Sequence, residues 1–145
     1  MYKNIISFLI IILIFSLNGC QDKKKSTATV ESKTTIKFVL NDGKKWQMDE
    51  HTRNAIKNLN SLLNSEEAFE SIVGYNQLGQ KLDDELILLI QGCTMEGPDH
   101  DQLHIFLGYF YPQVQSLKKE ADLALAENQV HEMKSLFEEY HKYFE

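Results

Sequence analysis

The chain lacks a catalytic motif, a repeat of fixed period and an excess of basic residues. Its 145 residues include 15 Lys and Arg against 21 Asp and Glu, which gives a formal net charge of −6. Nucleic-acid-binding surfaces are basic, so this balance argues against a nucleic-acid partner. The length suits one domain, and 43% apolar residues is ordinary for a folded soluble domain. We therefore expect a binding or structural protein and not an enzyme.

Long apolar runs are scarce as well. The longest, residues 5–17, is interrupted by Ser7 and Ser16. It is shorter than the roughly 20 residues that a membrane-spanning helix needs. With Lys3 ahead of it, the run is typical of the apolar region of a secretory signal peptide.

The residues that follow this run, Leu17-Asn18-Gly19-Cys20, resemble the lipobox of bacterial lipoproteins. The resemblance implies cleavage before Cys20, a lipid thioether on Cys20 and anchoring to a bacterial membrane in the cell envelope, facing the periplasm or the cell surface. Residues 1–19 would be the signal peptide. Residues 20–35 would be the lipidated cysteine and a polar, flexible tether. An ordinary secretory signal or an uncleaved anchor is the alternative.

Cysteine is nearly absent, with two residues in the whole chain. If Cys20 is lipidated, Cys93 is the one remaining thiol, and no intramolecular disulfide can form. A lone thiol in an oxidising envelope compartment indicates metal binding, pairing with another molecule or simple burial.

The remaining residues predict an all-α protein, an antiparallel up-down-up-down four-helix bundle preceded by a short arm. The arm, residues 36–48, contains a β-branched and aromatic run, the turn signal Asn41-Asp42-Gly43 and Trp46, which should anchor it to the bundle. We expect either a hairpin or an extended segment. The bundle itself should occupy residues 49–145.

Apolar residues at spacings of three and four define the helices. Asp49 should cap a first helix over residues 50–64. The second should begin at 66, or at 75 if Gly74 interrupts it, and end near Cys93. The third should open at Pro98 and continue to Ala124 with a kink or break at Pro112. A turn at residues 127–128 would precede the fourth helix.

This topology places metal-binding residue types at one pole of the bundle. The stretch Cys-Thr-Met-Glu-Gly-Pro-Asp-His-Asp-Gln-Leu-His, residues 93–104, joins helices 2 and 3. We predict a metal site formed by Cys93, Met95, His100 and His104. Thiol, thioether and imidazole donors favour copper, with zinc as the alternative metal and Asp99 as its additional ligand. His51 and His141 are further candidates at the same pole.

Each of these residues also has a simpler interpretation. Cys93 could be a small buried hydrophobe and Met95 a plug at the bundle end, while Met48 could pack as a hydrophobic staple before the Asp49 cap. The two histidines could be a solvated pair. On that interpretation the protein is a structural lipoprotein with no cofactor, or one that docks an envelope partner through aromatic residues such as Phe106, Tyr109 and Tyr111.

The bundle also resembles the soluble periplasmic b-type cytochromes in its size, its helix order and the sequence Tyr140-His141-Lys142 near its end. The resemblance implies a non-covalent haem b with Met48 and His141 as axial ligands and a role in electron transfer. Covalent attachment is not expected, because no Cys-x-x-Cys-His sequence is present. A di-iron centre is not expected either, because the core stripes carry no carboxylates.

Overall fold

Four helices pack against one another in the computed structural model, which describes residues 37–65 and 71–145, and the predicted all-α bundle is confirmed. The helices are α1 (Glu50–Leu63), α2 (Ile72–Gly92), α3 (Pro98–Leu117) and α4 (Leu123–Tyr143). The predicted signal peptide, Cys20 and the whole of the predicted tether lie outside the described residues. None of the described helices is long and apolar enough to cross a membrane.

Side-chain caps account for where α1, α2 and α4 begin. Asp49 accepts from the backbone N–H of Thr52 at the start of α1, as predicted. Ser71 and Asp122 act in the same way at the starts of α2 and α4. Each cap satisfies backbone donors that have no partner within the helix. Both predicted starts of the second helix, 66 and 75, are wrong: α2 begins at Ile72, and Gly74 falls inside its first turn without interrupting the helix.

The predicted boundary between the third and fourth helices is wrong. α3 ends at Leu117 and α4 starts at Leu123, so the turn lies at residues 118–122 and not at 127–128. Two carboxylates stabilise this earlier turn. Glu120 accepts from the backbone N–H groups of Ala121 and Asp122, and Asp122 accepts from those of Ala124 and Leu125.

Pro112 does not end α3. The carbonyl that loses its helical partner belongs to Gly108, four residues earlier. Both residues are exposed, so water can satisfy that carbonyl. A proline on the solvent side of a helix thus removes a hydrogen bond where its loss costs least.

The core runs the length of the bundle and is rich in aromatic rings at the end where α4 finishes. Phe106 contacts Phe110, Phe137 and Tyr140, with ring centroids 4.9–5.4 Å apart. Tyr140 stacks on Phe144 at 4.3 Å. The largest fully buried side chains are Phe106, Phe110, Phe137, Phe144, Met48, Leu59, Leu63, Leu82, Leu86, Leu89, Leu103 and Leu117.

One charged residue enters the interface between α2 and α3. Asp83 is 7% exposed and accepts from the ammonium of Lys118 and the amide of Gln115, both at 2.5 Å. One turn before Asp83, Gly79 lets the helices approach closely, because a Cβ there would lie 2.8 Å from the backbone nitrogen of Lys118. These contacts fix the antiparallel register of the two helices.

The arm forms a tight turn and then pairs with the C-terminus. Asn41 and Lys44 exchange two backbone hydrogen bonds of 2.9 Å around Asp42 and Gly43, both of which have positive φ. The backbone of Trp46 then pairs with the end of the chain. Its backbone N–H donates to the carbonyl of Tyr143, and its carbonyl accepts from the backbone N–H of Glu145. The arm therefore lies along the end of α4.

Candidate metal site

The predicted pole exists as a structural unit. Thr94, in the α2–α3 loop, donates from its hydroxyl to Asp49 at the start of α1 (3.1 Å). Gln102, in the first turns of α3, accepts from the backbone N–H of Val39 in the arm (3.2 Å). The start of α1, the end of α2, the start of α3 and the end of α4 therefore meet at one end of the bundle.

His100 and His104 are the two predicted ligands that the structure brings together. Their Nε2 atoms lie 3.1 Å apart, and the rings meet edge to face with centroids 4.5 Å apart. The pair follows from helix geometry, because residues four apart share one face. The two Nε2 atoms are within hydrogen-bond distance, and the tautomers of the rings decide which one donates. His104 is exposed and His100 is half-buried, so solvent and solutes reach the pair.

Of the two aspartates beside the pair, Asp99 forms a hydrogen bond with the backbone at the start of α3. Gly97 has a φ of +84° and offers no side-chain cap at the start of α3. Asp99 accepts instead from the backbone N–H of His100 at 3.1 Å. Asp99 and Asp101 place negative charge in the first turn, which stabilises this helix terminus and would also attract a cation.

Met95 lies in the loop before α3 and already has a partner. Its sulfur accepts from the hydroxyl of Thr52 at 3.4 Å, and Thr52 is fully buried. Moving Met95 onto a metal would leave that hydroxyl without this bond, which costs free energy in a buried setting. Thr52 was not among the predicted site residues. Its place on the apolar stripe of Ala55, Ile56 and Leu59 was the available signal.

Cys93 caps the C-terminus of α2 as a free, half-buried thiol that packs against the core. Within residues 37–65 and 71–145, no three His, Cys, Asp or Glu side chains lie close enough together to hold a metal ion. The structure thus does not gather Cys93 with His100 and His104 into one ligand set.

His51 is directed to α2. Its Nε2 lies 3.1 Å from the carbonyl of Leu88, and its ring covers Gly92, where an added Cβ would come within 2.3 Å of the imidazole. The ring is part of the lining of a shallow groove of about 440 Å³ between α1 and α2. Asn54, Asn58, Glu85 and Gln91 supply the polar lining of this groove.

The two predicted haem ligands occupy different environments. Met48 is 2% exposed and belongs to the core, whereas His141 is exposed on α4 with its ring against Tyr140. Aromatic side chains fill the core at this end. The ring centroid of Phe38 lies 5.4 Å from that of Tyr143 and 5.3 Å from that of Phe144. Of the aromatic residues considered for docking, Phe106 is fully buried, Tyr109 is half-buried and Tyr111 is 43% exposed.

Comparison of the chain with models of known protein families, with curated proteins and with solved structures gave no match. The chemistry of the pole therefore rests on the residues themselves.

Proposed function

We propose that this protein is a membrane-anchored envelope lipoprotein whose helical bundle binds a copper ion through His100 and His104. The observation that carries the proposal is the 3.1 Å separation of the two Nε2 atoms. A metal ion between the two nitrogen atoms would use both Nε2 lone pairs, with the proton of each neutral ring on Nδ1.

The separation also bears on the geometry of the metal. Metal–imidazole bonds of about 2.0 Å, combined with a separation of 3.1 Å, correspond to an N–metal–N angle of about 100°. That angle lies between the square-planar and tetrahedral values and far from the linear one. It favours Cu²⁺ or Zn²⁺ over a two-coordinate Cu⁺.

Copper is the stronger candidate of the two divalent ions. Cu²⁺ stands at the top of the affinity order for sites built of nitrogen and oxygen donors, and it accepts a mixture of imidazole and oxygen ligands. Water would complete the coordination, since the described residues offer no third His, Cys, Asp or Glu. An exposed site of this kind suits capture and transfer of copper better than permanent storage.

Calorimetric titration of the protein with Cu²⁺ tests the proposal. One ion should bind per chain, and His100→Ala or His104→Ala should weaken binding by at least 100-fold, because a single imidazole no longer chelates. The matched control is His131→Ala, an exposed histidine in the first half of α4, twelve residues before the helix end that lies at the pole. Cys93→Ser and Met95→Leu should bind like the parent chain.

Three other results would contradict the assignment of the copper site to His100 and His104. Equal loss of binding in the His131 variant would mean that copper attaches wherever a histidine is exposed. Full binding in the His100/His104 double variant would move the site elsewhere. A chain that takes up no copper or zinc would leave a lipoprotein that docks a partner without a cofactor. Circular dichroism of every variant confirms that the helices remain.

A further inference from the structure

The charges of the chain are divided between its two parts. Residues 20–45 contain seven Lys and three acidic residues, a net charge of +4. Residues 46–145 contain seven Lys and Arg against 18 acidic residues, a net charge of −11. A negatively charged surface would therefore attract the N-terminal part and repel the bundle.

The described section of the basic part is the tip of the arm. Lys37, Lys44 and Lys45 are exposed there, and none forms an ion pair with another described residue. Asp42 is the one acidic residue among residues 37–45. The three ammonium groups thus contribute their full charge to the surface of the tip.

The same tip exposes two large aliphatic side chains. Val39 is 55% exposed and Leu40 is 42% exposed, although the neighbouring Phe38 is buried at 6%. A polyanion in solution recognises charge but offers nothing to aliphatic groups. A lipid surface offers both phosphate groups and hydrocarbon, so the combination of exposed lysines with exposed valine and leucine matches a membrane.

The tip is held rigidly to the bundle, so the surface exists before any partner arrives. The indole N–H of Trp46 donates to the carbonyl of Val39 at 2.5 Å, and the N–H of Val39 donates to Gln102 at 3.2 Å. The two hydrogen bonds between Asn41 and Lys44 close the turn. No ordering of the arm is needed on binding.

We infer that the arm tip, formed by Lys37, Val39, Leu40, Lys44 and Lys45, is a docking surface for an anionic phospholipid membrane. The inference rests on the proposed membrane attachment but not on the proposed copper site. Docking through the tip fixes the orientation of the anchored domain. Since Gln102 holds the arm beside the first turns of α3, the pole with His100 and His104 then lies toward the bilayer.

Energy transfer from Trp46 to a dansyl-labelled lipid tests the inference in the full chain reconstituted into vesicles. Trp46 is the single tryptophan, so the signal reports the arm alone. Transfer should be stronger in vesicles that contain phosphatidylglycerol than in phosphatidylcholine alone. It should fall in high salt, which screens charge attraction.

Three double substitutions localise the effect: two replace lysines and the third replaces the two aliphatic residues. Lys44→Gln with Lys45→Gln should lower the docking constant about 30-fold, the equivalent of about 1 kcal/mol per lysine at an anionic surface. Lys57→Gln with Lys119→Gln removes the same charge from exposed positions on the bundle and should leave transfer unchanged. Val39→Ser with Leu40→Ser should weaken docking without unfolding the arm, because both side chains face solvent.

The outcomes separate the docking surface from the anchor. If the protein co-floats with both kinds of vesicle but energy transfer is equal in both, the docking surface is contradicted and the lipid anchor is supported. Flotation with phosphatidylglycerol vesicles alone supports the docking surface and contradicts the anchor, and flotation with neither contradicts both. An equal effect of the two lysine pairs, or unchanged transfer after Val39→Ser with Leu40→Ser, overturns the assignment of the lipid-docking surface to the arm tip.

Discussion

At the scale of single residues, Asp49 joins the first helix to the loop of the candidate site. One carboxylate oxygen accepts from the backbone N–H of Thr52 at 2.7 Å, and the other accepts from the hydroxyl of Thr94 at 3.1 Å. Burial raises the pKa of Asp49, but the hydrogen bonds from Thr52 and Thr94 together outweigh it and hold the pKa below its ordinary value. Asp49 thus keeps the loop with Met95 against α1.

A lowered pKa in the folded state makes the contribution of Asp49 depend on pH. It is fully present above the unfolded pKa of 3.8 and is lost as the pH falls through the lower folded value. We expect Asp49→Ala to cost about 1–2 kcal/mol at pH 7, the ordinary effect of losing a helix cap. As the pH falls below 3.8, urea unfolding should show a progressively smaller difference between the two proteins. A difference that is constant over this range would contradict the role of the charged form.

The site shows what sequence can predict at this scale. Four-residue spacing on a helix was sufficient to bring His100 and His104 together, because i and i+4 always share a face. Helical spacing does not predict whether Cys93 and Met95 lie beside the two histidines. The positions of Cys93 and Met95 depend on a loop held by the hydroxyls of Thr52 and Thr94. The apolar stripe of α1 indicates that Thr52 lies in the core, but it does not reveal the partner of either hydroxyl.

At the scale of helices, the α2–α3 contact depends on Gly79. A second glycine, Gly108 of α3, has open space where a side chain would lie. Gly79→Ala would place a methyl group 2.8 Å from the backbone nitrogen of Lys118 and 3.1 Å from the carbonyl carbon of Leu117. A backbone cannot yield as a side chain can, so the helices must separate. An added Cβ at Gly108 meets nothing within 4 Å.

The two alanine substitutions should therefore have opposite effects. Gly79→Ala should destabilise the protein by about 1–3 kcal/mol, the range for overpacking. Gly108→Ala should stabilise it by about 0.5–1 kcal/mol, because alanine favours a helix. Thermal and urea unfolding measure both. If Gly79→Ala proves neutral, the close approach of α2 and α3 is not present in solution.

The apolar pattern predicted where a helix begins if a capping residue stood at the same place. Asp49 and Pro98 fixed the starts of α1 and α3 as expected. The end of α3 did not follow, because Ala121 and Ala124 continue the spacing of the core residues although both are exposed. Glu120 and Asp122 decide that boundary by hydrogen bonds to the backbone, and a periodic pattern does not contain that information.

At the scale of the whole molecule, the two ends of the described chain hold each other in place. Met48 donates its N–H to the carbonyl of Glu145 at 3.1 Å, and the Gln47 amide donates to the Glu145 carboxylate. Phe144 is 1% exposed beneath the arm. The sequence indicated that Trp46 anchors the arm. It gave no reason to expect the C-terminus as the partner, because that pairing joins residues almost 100 positions apart.

Ending the chain after Tyr143 should release the arm and leave the four helices. The truncation removes a buried phenylalanine and two backbone hydrogen bonds to the arm, so we expect a loss of about 3–5 kcal/mol in unfolding free energy. The fluorescence of Trp46 should shift to the red. Glu145→Gln, which keeps the backbone, is the control and should retain the parent spectrum. An unshifted spectrum in the truncated chain would mean that the arm is held by other contacts.

In the proposed site two imidazoles, and no sulfur, hold the metal. Electron paramagnetic resonance and optical spectra of the Cu²⁺-loaded protein test it most directly. We expect splitting from two nitrogen nuclei that is lost in the His100→Ala and His104→Ala variants, with no intense sulfur-to-copper absorption band. A strong sulfur-to-copper band that disappears with Cys93→Ser would contradict it and would place the thiol in the site.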